Sequence, residues 1–164
     1  MNLALVLEMA ASGMDERPAV VTSDRQVSYV ELADLAGRAA DLFEEAGATA
    51  VFYLGTSHVA MPVALFGAAI AGVPFIPLNY RLGAKQLDQM VGAHPGAVLV
   101  AERDVPEDWV SLAAVFERDA FLDQLAARPS RTAEASSDPD LPAVLLYTSG
   151  TTADPKAAIL RHRH

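Results

Sequence analysis

The chain has 164 residues, 52% of them hydrophobic, which is enough for one domain with a real core. A formal charge of −9 and an isoelectric point near 4.7 argue against nucleic acid as a partner, because such binding rests on Lys and Arg contacts to phosphate. With no cysteine, a disulfide scaffold, a thiol nucleophile and a thiolate metal site are excluded.

Met1 to Ala11 is apolar but lacks a positively charged start, and Glu8 interrupts it. Leu3, Val6, Leu7 and Ala10 fall at helical spacing, so an amphipathic helix is expected rather than a signal peptide. No segment approaches the ~20 apolar residues of a membrane span, and a cytoplasmic location is expected. Ala19 to Thr22 reads as a strand, Ser23-Asp24-Arg25 as a turn and Gln26 to Ser28 as the hairpin partner. Ser28 and Glu31 form a capping box. The helix it opens places Leu32, Leu35, Ala36, Ala39, Leu42 and Phe43 on one face, and Gly47 stops it. Ala50 to Leu54 reads as a buried strand, and Ser57 is expected to cap a helix through Ala71 that Gly72 closes. Phe75 and Ile76 sit in a short strand, and Ala84 to Ala93 is a helix stopped before His94-Pro95. Ala97 to Ala101 is another buried strand. Strands alternating with helices imply βαβ units and a largely parallel sheet, an α/β fold.

Trp109 to Ala127 reads as helical, with Leu112, Val115, Phe116 and Leu122 in the core. Arg128 to Asp140 has almost no apolar content and reads as a solvated linker. His58 and His94 sit at helix ends, as caps or exposed side chains, and Asp41, Glu44 and Glu45 form a solvated helix face.

Leu141 to Tyr147 is an apolar run that reads as a buried strand, and it feeds Thr148-Ser149-Gly150-Thr151-Thr152-Ala153-Asp154-Pro155-Lys156. A strand leading into a loop dense in hydroxyls, with a cation at the far end, suits a polyphosphate. Backbone N–H groups and the hydroxyls donate to phosphate oxygens, Gly150 permits close approach, and Lys156 supplies charge. The loop is not the Walker type, which needs Gly before the Lys and a hydroxyl after it, where this chain has Pro155 and Ala157. Of twelve basic residues only Lys85 and Lys156 are lysines, so a compact point charge stands where the chain otherwise writes Arg. Read without context, the same residues also fit a Ser/Thr-rich surface turn.

Thr148-Ser149-Gly150-Thr151-Thr152-x-x-Pro155-Lys156 resembles the phosphate-binding signature of the adenylate-forming superfamily, which includes acyl-CoA synthetases, adenylation domains of peptide synthetases and luciferases. Val27-Ser28-Tyr29-Val30-Glu31-Leu32 and Ala71-Gly72-Val73-Pro74-Phe75-Ile76-Pro77-Leu78-Asn79 resemble two further segments of that family. Ala157 to His164 is similar to the segment after the loop in bacterial fatty-acyl-CoA synthetases. The likeness covers the whole chain and the opening part of the family fold, so residues 1–164 are expected to be a partial AMP-binding N-terminal domain. Within it, 128–140 is the linker and 141–160 the strand, phosphate loop and following strand. Asn79, Tyr80 and Arg81 are expected to support the fold.

The resemblance implies an ATP-dependent ligase. A carboxylate, a fatty acid or a related acid, attacks the α-phosphorus to give an acyl-adenylate, and CoA then displaces AMP. It assigns Thr148, Ser149, Thr151 and Thr152 as phosphate hydroxyls, Gly150 as the close-approach residue and Lys156 as the charge. ATP, Mg2+ and CoA are the implied cofactors, with the magnesium ligand expected after His164. No catalytic set is complete in the chain, and alone it is expected to be inactive. Two positions depart from the family's glycines, Ala153 and Ala157, and Asp154 must point away from phosphate. Arg161-His162-Arg163-His164 is expected to dangle. The strands on either side of the loop are expected to pair with later strands and, left unpaired, to promote self-association. Two other readings stay open: a non-catalytic truncated fold or complementing partner chain with weak phosphate binding, and an adenylation module that loads a carrier protein.

Overall fold

Alternating helical and extended segments build a mixed sheet with helices on both faces in the computed structural model, which describes residues 2–131, 138–148 and 156–163. Helix α1 (Leu3–Met14) starts where the Asn2 side chain accepts the Ala4 N–H at 2.9 Å. It buries Ala4 and Leu7, whereas Val6, expected on the inner face, is 39% exposed. The helix meets its neighbours along a narrow stripe at i, i+3 and i+4, and Val6 falls outside it.

Strands β1 (Pro18–Val21) and β2 (Gln26–Ser28) form a separate antiparallel pair. Ser28 then opens α2 (Tyr29–Glu45) with both halves of the capping box: its hydroxyl accepts the Glu31 N–H at 3.2 Å, and the Glu31 carboxylate accepts the Ser28 N–H at 2.9 Å. All six apolar positions read from the periodicity are buried. Strand β3 (Val51–Leu54) is buried on both faces, the pattern of a central parallel strand. Helix α3 (Ala60–Ala71) crosses α2 so closely that a Cβ on Gly67 would stand 2.8 Å from that of Ala39, which is why glycine occupies this position. Gly72 closes α3 at φ 72°, a left-handed conformation that favours glycine. Ser57 does not cap α3: the N-cap position is Val59, which has no capping side chain, and the Ala60 N–H goes to the Nδ1 of His58 at 3.2 Å.

The main sheet runs β6-β5-β3-β4-β7-β8, with β4 (Phe75–Leu78), β5 (Val98–Ala101), β6 (Ala114–Glu117), β7 (Pro142–Thr148) and β8 (Lys156–Arg161). All its neighbours are parallel except β7 and β8. One face carries α1, α2, α3 and α5 (Arg118–Ala126) over Val51, Tyr53, Phe75, Val98 and Val100. The other carries α4 (Ala84–Gly92) over Phe52, Leu54, Ile76 and Leu99. The α/β architecture and the largely parallel sheet are as expected.

The helix expected over Trp109 to Ala127 is instead a turn, a strand and a shorter helix. Ala114 to Glu117 pair with Val98 to Ala101 along the open edge of β5, and such hydrogen bonds outweigh the local helical pattern. Glu117 then caps α5, its carboxylate accepting the N–H groups of Asp119 and Ala120. Val115, expected in the core, is 46% exposed, and the buried residues of α5 are Phe121, Leu122 and Leu125.

The start of the expected linker is held rather than solvated. Arg38 donates to the carbonyls of Leu125, Ala126 and Arg128 and to the Ser130 hydroxyl. Arg128 pairs with Glu45, and Arg131 pairs with Asp41 at 2.5 Å and Glu44 at 3.0 Å. The acidic face of α2 is therefore a docking strip for arginines, a role that only the tertiary arrangement reveals. Residues 132–137 of that linker lie outside the described residues. At the end of β8 and just past it, Arg161 and Arg163 do not dangle: Arg161 donates to the Asp140 carbonyl and Arg163 pairs with the Asp140 carboxylate. His162 is buried, its Nδ1 accepting the Leu3 N–H at 3.3 Å, so the end of β8 is tied to the start of α1.

Candidate functional site

Pairing between β7 and β8 determines what stands at the loop. The antiparallel register runs from Pro142↔Arg161 to Thr148↔Lys156, so the final rung places the first and last residues of the hydroxyl-rich segment opposite each other. Directly opposed residues have Cβ atoms about 4.5–5.5 Å apart. Ser149, Gly150, Thr151 and Thr152, together with Ala153, Asp154 and Pro155, lie outside the described residues. Lys156 is exposed at the head of a strand exposed along most of its length. The two ends of the candidate phosphate loop are thus brought together, and the cation faces solvent at its mouth.

On the β4 side of the hairpin the registered backbone ladder is short. Val51 donates to the Pro74 carbonyl at 2.9 Å, so Pro74, Ile76 and Leu78 direct their backbone groups at β3, and Phe75 and Pro77 direct theirs at β7. Pro77 has no N–H to donate, and β4 and β7 register only at Phe75↔Val144. Side chains carry the rest. Ala143 and Leu145 are buried against the sheet, and Tyr147 packs at the edge of the core beneath α4. The Tyr147 hydroxyl lies 2.6 Å from the Nε2 of His94, whose ring also meets Phe52 edge-on. Burial pushes the His94 pKa down and the Tyr147 pKa up, so both are neutral near neutral pH. His94 is therefore neither a cap nor a fully exposed side chain. Sequence spacing carried no signal of its contact with Tyr147, because the two lie 53 positions apart.

A second polar cluster sits at the carboxyl ends of β3 and β5, and sequence reasoning missed it too. The Glu102 carboxylate accepts the Thr56 N–H at 2.6 Å and the Thr56 hydroxyl at 2.9 Å, and it pairs with Arg118 at 3.1 Å. The Thr56 backbone donation is the main reason its pKa falls below the usual carboxylate value. Tyr53 donates to the Thr56 carbonyl at 2.9 Å, and burial pushes its pKa up to about 12. These groups fasten the turn after β3. They are separated from β7 by the intervening strand β4 and are not brought to the hairpin. Asn79 and Arg81 also serve the fold: the Asn79 side chain accepts the Arg81 N–H at 3.0 Å in the turn after β4, and the Arg81 guanidinium covers the Tyr80 ring. Among the described residues no three His, Asp or Glu side chains gather into a metal site, and no helix is long and apolar enough to cross a membrane.

Comparison with known proteins gives concordant findings. A family model described as AMP-binding enzyme matches residues 7–164. A feruloyl-CoA synthase from Amycolatopsis sp is 35% identical over 147 residues, which is 83% of this chain and 28% of that protein. An indoleacetate–CoA ligase from Aromatoleum aromaticum is 31% identical over 169 residues, 88% of this chain and 32% of that protein. The chain therefore spans about a third or less of the curated relatives it matches. The inhibitor-bound N-terminal domain of FACL13 from Mycobacterium tuberculosis superposes with a TM-score of 0.86 at 22% identity, covering 98% of this chain and 44% of that one, and shows the same fold.

Proposed function

The chain belongs to the AMP-binding enzyme family, and from that premise we propose that it supplies the phosphate-holding part of an ATP-dependent ligase that activates a carboxylate as its adenylate and passes it to CoA. Bound ATP supplies the leaving group, pyrophosphate. The part played by this chain is to hold that group and to neutralise its charge. Thr148, Ser149, Thr151 and Thr152 donate hydroxyls, Gly150 lets the backbone approach, and Lys156 supplies the positive charge. No magnesium ligand is assigned to the described residues. The carboxylate is a fatty acid or a related acid. The names of the two relatives, one for a feruloyl group and one for indoleacetate, favour an acid that bears an aromatic ring.

The observation that supports this reading is the Thr148↔Lys156 rung, which brings the two ends of the signature segment together with an exposed lysine at its mouth. Such an arrangement suits an anion with several oxygens better than it suits a buried apolar ligand. Titration of the 15N-labelled chain with inorganic pyrophosphate tests it. The expected result is weak, saturable binding, with Kd on the order of 1 mM, that shifts the Lys156 amide and is lost in Lys156→Ala. Absence of any shift at Lys156 overturns the reading. Tight binding that discriminates ATP from pyrophosphate overturns its restriction to phosphate-holding.

A further inference from the structure

Resting on the phosphate-holding reading, we infer that His94 is a positioning residue for the hairpin mouth: by accepting the Tyr147 hydroxyl it anchors the carboxyl end of β7 and fixes the Thr148↔Lys156 rung. Three observations converge on this role. Pro77 takes a donor out of the β4–β7 ladder, which leaves Phe75↔Val144 as its registered pair. Tyr147 stands one residue before the rung, and its hydroxyl is 2.6 Å from His94 Nε2. His94 is itself held in place. It follows α4 with its N–H on the Val91 carbonyl at 3.1 Å, and its ring lies edge-on to Phe52 of β3 at 5.6 Å. The contact therefore ties the hairpin to the centre of the sheet where Pro77 supplies no N–H to β7.

The chemistry of the contact fixes its direction. Both groups are uncharged near neutral pH, because burial lowers the pKa of His94 and raises that of Tyr147. A phenol is the stronger donor, so its O–H points at Nε2 and the ring proton rests on Nδ1. Removing either partner frees the last residues of β7 to move relative to α4 while leaving the β7–β8 ladder intact. The Lys156 ammonium then samples more positions, and the phosphate it holds is bound less tightly.

The test is the same pyrophosphate titration, read at the Lys156 amide, on the full chain and its variants. Tyr147→Phe, which removes the hydroxyl and keeps the ring, and His94→Leu should each weaken pyrophosphate binding roughly three- to tenfold. The double variant should be no weaker than either single one. His94→Gln, whose amide oxygen can accept the phenol O–H, should stay within about twofold of the parent. Rescue by glutamine separates positioning from simple loss of a core ring, because Gln fills the ring's place poorly but restores the acceptor. Imidazole 15N shifts should show the Nδ1–H tautomer in the parent and lose that signature in Tyr147→Phe. If His94→Leu fails to fold, Tyr147→Phe decides alone. Parent-like affinity in Tyr147→Phe overturns this inference and leaves the phosphate reading standing. An absence of binding by the parent chain overturns both.

Discussion

At the mouth of the hairpin, one lysine separates a phosphate site from an ordinary turn. Lys156 stands opposite Thr148 and is exposed, so it lies at the surface of the hairpin rather than in the core. In a protein that carries out the complete reaction, Lys156→Ala should slow adenylation while carboxylate affinity stays nearly unchanged. A charge-assisted contact to phosphate is worth about 1.5–3 kcal/mol, or one to two decades in rate. ATP–pyrophosphate exchange measures it, and an unaltered rate refutes the role. The signature itself was legible because its residue types and spacing lie in one continuous stretch. The partner that braces it was not: His94 and Tyr147 meet only because α4 covers the face of the sheet on which Tyr147 of β7 packs.

Individual elements divide by where their hydrogen bonds go. Helix α2 satisfies itself, with Ser28 and Glu31 capping its start and its apolar stripe falling on one face, and its features were legible in sequence order. Ser28→Ala removes one acceptor from a buried cap, so it should cost about 1 kcal/mol, read as a lower urea midpoint with an unchanged slope. A midpoint equal to that of the parent would show that the cap contributes nothing to stability. The opposite case is Ala114–Glu117. Its residues can form a helix, and the open edge of β5 draws them into a strand instead. The arginine contacts of the segment after α5 belong with it, since Arg38, Arg128 and Arg131 find their partners about 83–92 positions away. Local patterns cannot report a bond to a distant edge or helix end.

Across the whole molecule, two histidines, one half-buried and one buried, join parts that are remote in the chain: His94 links the corner after α4 to β7, and His162 links the end of β8 to the start of α1. Burial lowers the pKa of both below the ordinary 6.5, so the folded state resists protonation that the unfolded chain accepts. Their contribution to stability is present above pH 6.5 and is lost as pH falls through the lowered values of the folded state. Glu102 and Asp119, with pKa values depressed chiefly by the Thr56 N–H and by Arg118, add a loss that begins below 4.5 and 3.8 respectively. Thermal midpoints across this range should therefore fall in two stages, and the upper stage should shrink in His94→Gln. A flat profile down to the carboxylate range would refute the histidine contribution. The sequence by itself determined the α/β class, the early helix and strands, and the phosphate signature, because each rests on periodicity, capping or contiguous residue chemistry. The tertiary structure alone decided the strand at 114–117, the arginine strip on α2, the place of Pro77 beside β7 and the histidine that meets Tyr147. Each of these depends on which backbone and side-chain groups the fold leaves facing one another across long stretches of chain.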